Sequence, residues 1–145
     1  METLSKIKKA NIVITSDLKR SIDSAKLLNL HGKYITDPLF REVEIPANIS
    51  SLKGLTFKPA TWSVISRLLW FCGYSRDCES LIHARVRAEK AANVLVEYAK
   101  EHTNVVLVGH GFFNMLIAKE LRKMGFRGRR KTNSRHWGIT TFSLG

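Results

Sequence analysis

Two side chains in this sequence stand where a polypeptide would place them to hold an anion. His110 lies in VVLVGHG, residues 105–111, where four apolar residues run into Gly-His-Gly and an amphipathic stretch follows. Arg20 lies at the end of NIVITSDLKR, residues 11–20, where a second apolar run passes Ser16 into another helical pattern. A guanidinium fork matches two oxygens of a phosphate, and an imidazole can donate a hydrogen bond to a third. Ser16, read as the cap of the following helix, leaves backbone N–H donors and a favourable dipole at the same place, so the pair points to a phosphate pocket. Phosphoryl transfer further needs a group in line and an acid for the departing oxygen. Glu42 and Glu44, in the loop segment FREVEIP, are the candidate acids, provided that burial raises a carboxyl pKa. The competing assignments are plain: Arg20 paired with Asp23, and Glu42 and Glu44 as solvated loop carboxylates. His110 resists such an assignment, because a histidine between glycines after a buried strand needs a polar partner. Arg85 and Arg87, on a later helix, are a weaker signal.

The elements that must carry these groups follow from periodicity. Residues 11–15 read as a buried strand, and a helix runs from Ser16 to about Leu30 with Leu18, Ile22, Ala25 and Leu28 or Leu27 along one stripe, ended by His31-Gly32. A second strand covers about Lys33 to Thr36, followed by Asp37-Pro38 and an irregular loop. Trp62 to Phe71 has helical character, and a Gly-Tyr-Ser-Arg-Asp turn leads to the longest helix, about Glu79 to His102, which buries Leu81, Ala84, Ala88, Ala91, Leu95 and Tyr98. The third strand is Val105 to Val108, the next helix about Phe112 to Met124, and GITTFSL, residues 138–144, the last strand. Alternation of strand and helix predicts a three-layer αβα domain with a mainly parallel sheet and helices on both faces. Ligands of such sheets bind beyond the carboxyl ends of the strands, which brings Arg20 and His110 to one edge and sends His31 to the other.

At 145 residues and 44% hydrophobic content, one domain spanning the whole chain is expected. The formal charge of +12, from 24 Lys and Arg against 12 Asp and Glu, favours anionic ligands. Much of it lies in Lys119, Arg122, Lys123, Arg127, Arg129, Arg130, Lys131 and Arg135, either a solvated helix end or a patch for nucleic acid or anionic lipid. Nucleic acid is the weaker partner, since only Phe126 and Trp137 offer stacking rings there. Cys72 and Cys78 match neither a zinc nor a redox spacing, so reduced thiols, a cytoplasmic location and no metal or cofactor are expected. TWSVISRLLWFCGY is broken by Arg67 and too short to span a bilayer, and METLSKIKKAN lacks the apolar stretch of a secretory signal.

Taken in order, ITSDLKRSIDSAKLL, LFREVEIP, ESLIHARVRAEKAANVL and VVLVGHGFFNMLIAKELRKMGF resemble the histidine phosphatase superfamily, also called phosphoglycerate mutase-like, over nearly the whole chain. The resemblance implies that Arg20 binds phosphate, that Glu42 is the proton donor, and that His110 binds the phosphoryl oxygens. It also implies supporting roles for Glu79, Ser80, Arg87 and Gly111, with Cys78 standing where the family has Gly. Family members open with a strand ending in Arg-His-Gly, whose histidine is phosphorylated, and no such triplet occurs here. The expectation is therefore a chain lacking the family's first strand and nucleophile, with a residual phosphate site for a small phosphorylated substrate and weak or no phosphatase activity. His31-Gly32 is no replacement, and Arg135-His136-Trp137 resembles the triplet only superficially. Loss of that strand would bare two strand edges, so GITTFSL is expected to pair with VVLVG directly, or a homodimer to form there. Two alternatives remain open: an active phosphomonoesterase using another histidine, and a basic module for nucleic acid or anionic lipid.

Overall fold

A computed structural model describes residues 2–43, 64, 68, 80–129 and 138–144. Chain contacts divide it into two units, Met1–Glu42 with Arg87–Gly145, and Val43–Val86. The first unit contains α1 (Glu2–Ile7), β1 (Ile12–Thr15), α2 (Lys19–Leu27), β2 (Lys33–Thr36) and a 3-10 turn (Pro38–Phe40), then most of α3 (Leu81–His102), β3 (Val105–Val108), α4 (Gly111–Lys123), β4 (Phe126–Gly128) and β5 (Phe142–Leu144). Of the second unit, Ser80 opens α3: its hydroxyl accepts the His83 N–H and its carbonyl the Ala84 N–H. Val64 and Leu68 are helical and exposed.

The three strands expected to be parallel are so, in the order β2-β1-β3 with β1 central. Their register aligns Thr15 with Thr36 and with Val108, so the carboxyl ends of all three finish together. β1 is apolar at three positions and buried throughout, as a central parallel strand must be. On one face Val13, with Val106 and Val108 beside it, packs against Ile7, Ala10, Ala25 and Leu30 from α1, α2 and their flanks. Ile12 and Ile14 point to the other face and are equally buried, at 2% and 0% exposure, so both faces of the sheet are covered. No helix among the described residues is long and apolar enough to cross a membrane.

Several boundaries differ from expectation. The N-terminal residues form α1, because Ile7, alone in a basic run, is buried at 5% exposure and anchors the turn to the core. α2 stops at Leu27 rather than near Leu30, since Asn29 adopts a left-handed φ of 46° two residues beyond it, a conformation that asparagine tolerates and a helix cannot propagate. Leu27 is 76% exposed, so Leu28 is the inward member of that pair. Gly32 is needed for closeness rather than to stop a helix: a Cβ there would lie 2.7 Å from the Ala10 carbonyl oxygen, where β2 starts beside β1. The last strand is three residues long and pairs antiparallel with the unforeseen β4, so the expected pairing of GITTFSL with VVLVG is not made. Among the described residues β3 is paired along one edge alone, to β1. The helix expected at Trp62 to Phe71, the turn before Glu79, both cysteines and the basic positions 130, 131 and 135 lie outside the described residues except for 64 and 68.

Candidate functional site

Where β1 and β3 end, their exits are stitched together by hydroxyl groups. The Ser16 N–H donates to Ser21 Oγ at 3.2 Å, and the Ser21 hydroxyl donates to the Val108 carbonyl at the end of β3. Ser16 Oγ lies 2.7 Å from His110 Nε2, a buried contact spanning 94 positions of sequence. Ser16 therefore does not cap α2 as expected. The helix begins at Lys19, Leu18 occupies the capping position without a side-chain bond, and the Ser16 hydroxyl accepts the Leu18 N–H only at 3.4 Å. Its short contact is the one to the imidazole, and its complete burial takes it out of direct reach of a ligand.

His110 itself occupies the capping position of α4 in extended backbone, with 6% exposure. Burial pushes its pKa below the ordinary value of 6.5; the nearby Glu42 carboxylate opposes that, while Arg20 and Arg87 reinforce it. One hydroxyl in contact and three charges acting through space, from four segments, thus bear on one imidazole. Arg20, in the first turn of α2, is exposed, and among the described residues it pairs neither with Asp23 nor with any other carboxylate. Gly111 has open space around the place of a Cβ, whereas at Gly109 a Cβ would meet Asn114 Oδ1 at 2.5 Å. The tight approach in the Gly-His-Gly turn is thus made by the glycine before the histidine.

Glu42 enters from the loop after the 3-10 turn. Its Oε1 accepts the Phe113 N–H at 3.0 Å, in the first turn of α4. Two arginines set that loop in place. Arg87 donates from Nη1 to the carbonyls of Leu39 and Arg41, both at 2.8 Å, and stacks 3.9 Å over the Phe113 ring. Arg41 forms a two-point ion pair with Asp17 across the β1 exit and holds the Asp17 carboxyl below the usual carboxylate range. The 3-10 turn is started by Asp37, whose Oδ1 accepts the Leu39 N–H at 2.9 Å. Asp17, Ser21 and Arg41 escaped the sequence reading; the opposite charges directly after Ser16 and directly before Glu42 were the available signal. His31 is exposed at the start of β2, on the amino edge of the sheet as expected. Ser80 lies in the second unit at the start of α3, while Glu44, Glu79 and His136 lie outside the described residues.

An exposed guanidinium and a buried imidazole are the groups that can hold an anion, and a carboxyl group beside them can pass on a proton when it carries one. The family model for the histidine phosphatase superfamily (branch 1) matches residues 1–144. No curated protein matches the chain. Among solved structures, an open reading frame product of Mycobacterium tuberculosis is similar at 24% identity and a TM-score of 0.54, over 79% of this chain and 61% of its own. Mycobacterial hydrolase 1 is similar at 24% identity and a TM-score of 0.61, over 85% of this chain and 62% of its own. A mycobacterial glucosyl-3-phosphoglycerate phosphatase is similar at 20% identity and a TM-score of 0.58, over 99% of this chain and 80% of its own. The chain thus spans about three fifths of the first two structures, and at these identities the likeness establishes the fold, a parallel α/β/α arrangement.

Proposed function

We propose, since this chain belongs to the histidine phosphatase superfamily (branch 1), that it holds the phosphoryl group of a small phosphorylated molecule between Arg20 and His110. Arg20 supplies a two-point cation, His110 a hydrogen-bond donor, and Glu42 the proton for a departing oxygen. Ser16 and Arg87 support these groups without touching phosphate, and Glu79, Ser80 and Gly111 are assigned supporting roles through the family likeness. One observation carries the proposal: the His110 imidazole sits in the joint field of Arg20 and Glu42, while Arg20 has no carboxylate to neutralise it among the described residues. An arginine left so at the carboxyl edge of a parallel sheet is disposed to take an external anion.

Turnover is the finer part of the proposal. A phosphohistidine route needs a second imidazole in line, and no histidine of the 145 follows an arginine and precedes a glycine. These residues then bind phosphate and hydrolyse its esters weakly or not at all. Support for a small phosphorylated ligand comes from the neighbour named for dephosphorylating glucosyl-3-phosphoglycerate. The test is calorimetric titration with inorganic phosphate beside an assay on an aryl phosphate, for the wild type and His110→Ala. Saturable phosphate binding with negligible hydrolysis supports the proposal. Brisk hydrolysis abolished by His110→Ala would establish the phosphomonoesterase alternative, and absence of phosphate binding would remove the cradle.

The second edge of β3 belongs to the same proposal. An apolar parallel strand with one edge unpaired among the described residues is a template for another strand, and we assign it as the contact through which two copies associate.

A further inference from the structure

The hydrogen-bond arithmetic around Ser16 fixes where the proton of His110 resides. A serine hydroxyl has one hydrogen to give and two lone pairs to accept with. Ser16 is wholly buried; its Oγ accepts the Leu18 N–H and lies 2.7 Å from His110 Nε2. If Nε2 carried a hydrogen, Oγ would accept twice and its own O–H would point at nothing, because no further acceptor meets it among the described residues. A buried hydroxyl left so is costly, so the hydroxyl donates and Nε2 accepts. The one hydrogen of the neutral ring then sits on Nδ1. Among the described residues Nδ1 has no protein partner, and it is not sealed from solvent.

We propose that Ser16 is a positioning residue: by donating to Nε2 it locks His110 in the Nδ1–H tautomer and turns that N–H outward as the hydrogen-bond donor for a bound phosphate. The serine is itself held by its N–H on Ser21 Oγ, and Ser21 by the Val108 carbonyl, so the donor's direction is set jointly by the exits of β1 and β3 and the first turn of α2. Among the described residues the charges that act on the ring are Glu42 from the loop after the 3-10 turn, Arg20 from α2 and Arg87 from α3. Burial favours the neutral ring, Glu42 works the other way, and Arg20 and Arg87 add to the effect of burial. A neutral donor suits this place, because an imidazolium would carry a hydrogen on both nitrogens and force the Ser16 hydroxyl to give up its acceptor. His110 thus serves as a fixed dipole rather than as a titrating cation. The role toward phosphate rests on the function proposed above; the tautomer does not.

Nitrogen-15 long-range correlation spectra of the ligand-free protein read the tautomer directly. The wild type is expected to show His110 protonated on Nδ1 and bare on Nε2, Ser16→Ala to move the proton toward Nε2, and Ser16→Thr, which restores the hydroxyl, to return it. A wild-type ring protonated on Nε2 overturns the proposal without recourse to any variant, as does a Ser16→Ala ring identical to the wild type. Sulfate, a tetrahedral dianion that does not titrate in this range, then probes the ligand side. Its affinity is expected to fall about tenfold in Ser16→Ala, the scale of one hydrogen bond, and to return in Ser16→Thr. Sulfate failing to bind a protein with the expected tautomer would overturn the phosphate proposal and leave the role of Ser16 standing.

Discussion

Arg20 and His110 act on an anion by different physics, and substitutions separate them. Arg20 is an exposed point of attachment whose worth lies in its fork, so Arg20→Lys keeps the charge but not the two-point geometry. Phosphate affinity is expected to drop at least about tenfold in Arg20→Ala, with Arg20→Lys recovering little of it, as calorimetry will show. His110 is buried and its pKa lies below 6.5, so its effect on stability has a definite sign. Above that value the ring is neutral whether folded or unfolded, and pH does not matter. As pH falls through about 6.5 the unfolded chain takes up a proton that the folded chain refuses, and stability is lost. Urea unfolding between about pH 7.5 and about pH 5.5 is expected to show a shallower dependence in His110→Gln than in the wild type. Equal slopes would mean that the ring charges freely in the folded state. The identities of Arg20, Glu42 and His110 were readable in the sequence, because strand-to-helix crossings give a residue a place on the sheet's edge. The Ser16 contact was not, since a serine after a strand looks like a helix cap until a partner 94 positions away competes for its hydroxyl.

The loop that carries Glu42 is tied to α3 through Arg87. That side chain makes two hydrogen bonds to loop carbonyls and a stacked contact on Phe113, the residue whose N–H Glu42 accepts. Arg87→Met, which keeps much of the side-chain stem, is expected to cost about 2 kcal/mol of stability by denaturant titration. It should also weaken phosphate binding without any direct contact. At the end of α2, Asn29 holds a left-handed φ of 46°, so Asn29→Gly is expected to be neutral or slightly stabilising and Asn29→Ala to cost about 1 kcal/mol. Strand and helix identities were legible wherever period and length agreed, as in β1, β3, α3 and α4. The short pieces were not: α1 depends on one buried isoleucine, and β4 exists because β5 pairs with it, a long-range fact that three residues cannot advertise.

On the scale of the whole molecule, charge and chemistry are at opposite ends of one helix. α4 carries His110 before its first turn and Arg122 and Lys123 in its last, with Arg127 and Arg129 exposed beyond. Thirteen helical residues span roughly 20 Å, more than twice the screening length of about 8 Å at physiological salt. The cations at that end therefore contribute little to holding phosphate at His110. Replacing Lys119, Arg127 and Arg129 together by Gln is expected to leave phosphate affinity within about twofold at that ionic strength, while altering any attraction to polyanions. If β3 joins two copies, light scattering will give a mass rising toward twice 16.5 kDa with concentration. The most direct test of the central claim is a titration with inorganic phosphate followed by the side-chain nitrogen resonances of both His110 and Arg20. A cradle shared by the two predicts that both move together along one saturation curve and that Arg20→Ala abolishes the response at His110. Phosphate that binds without moving the His110 ring, or that moves it equally well when Arg20 is gone, would contradict the account.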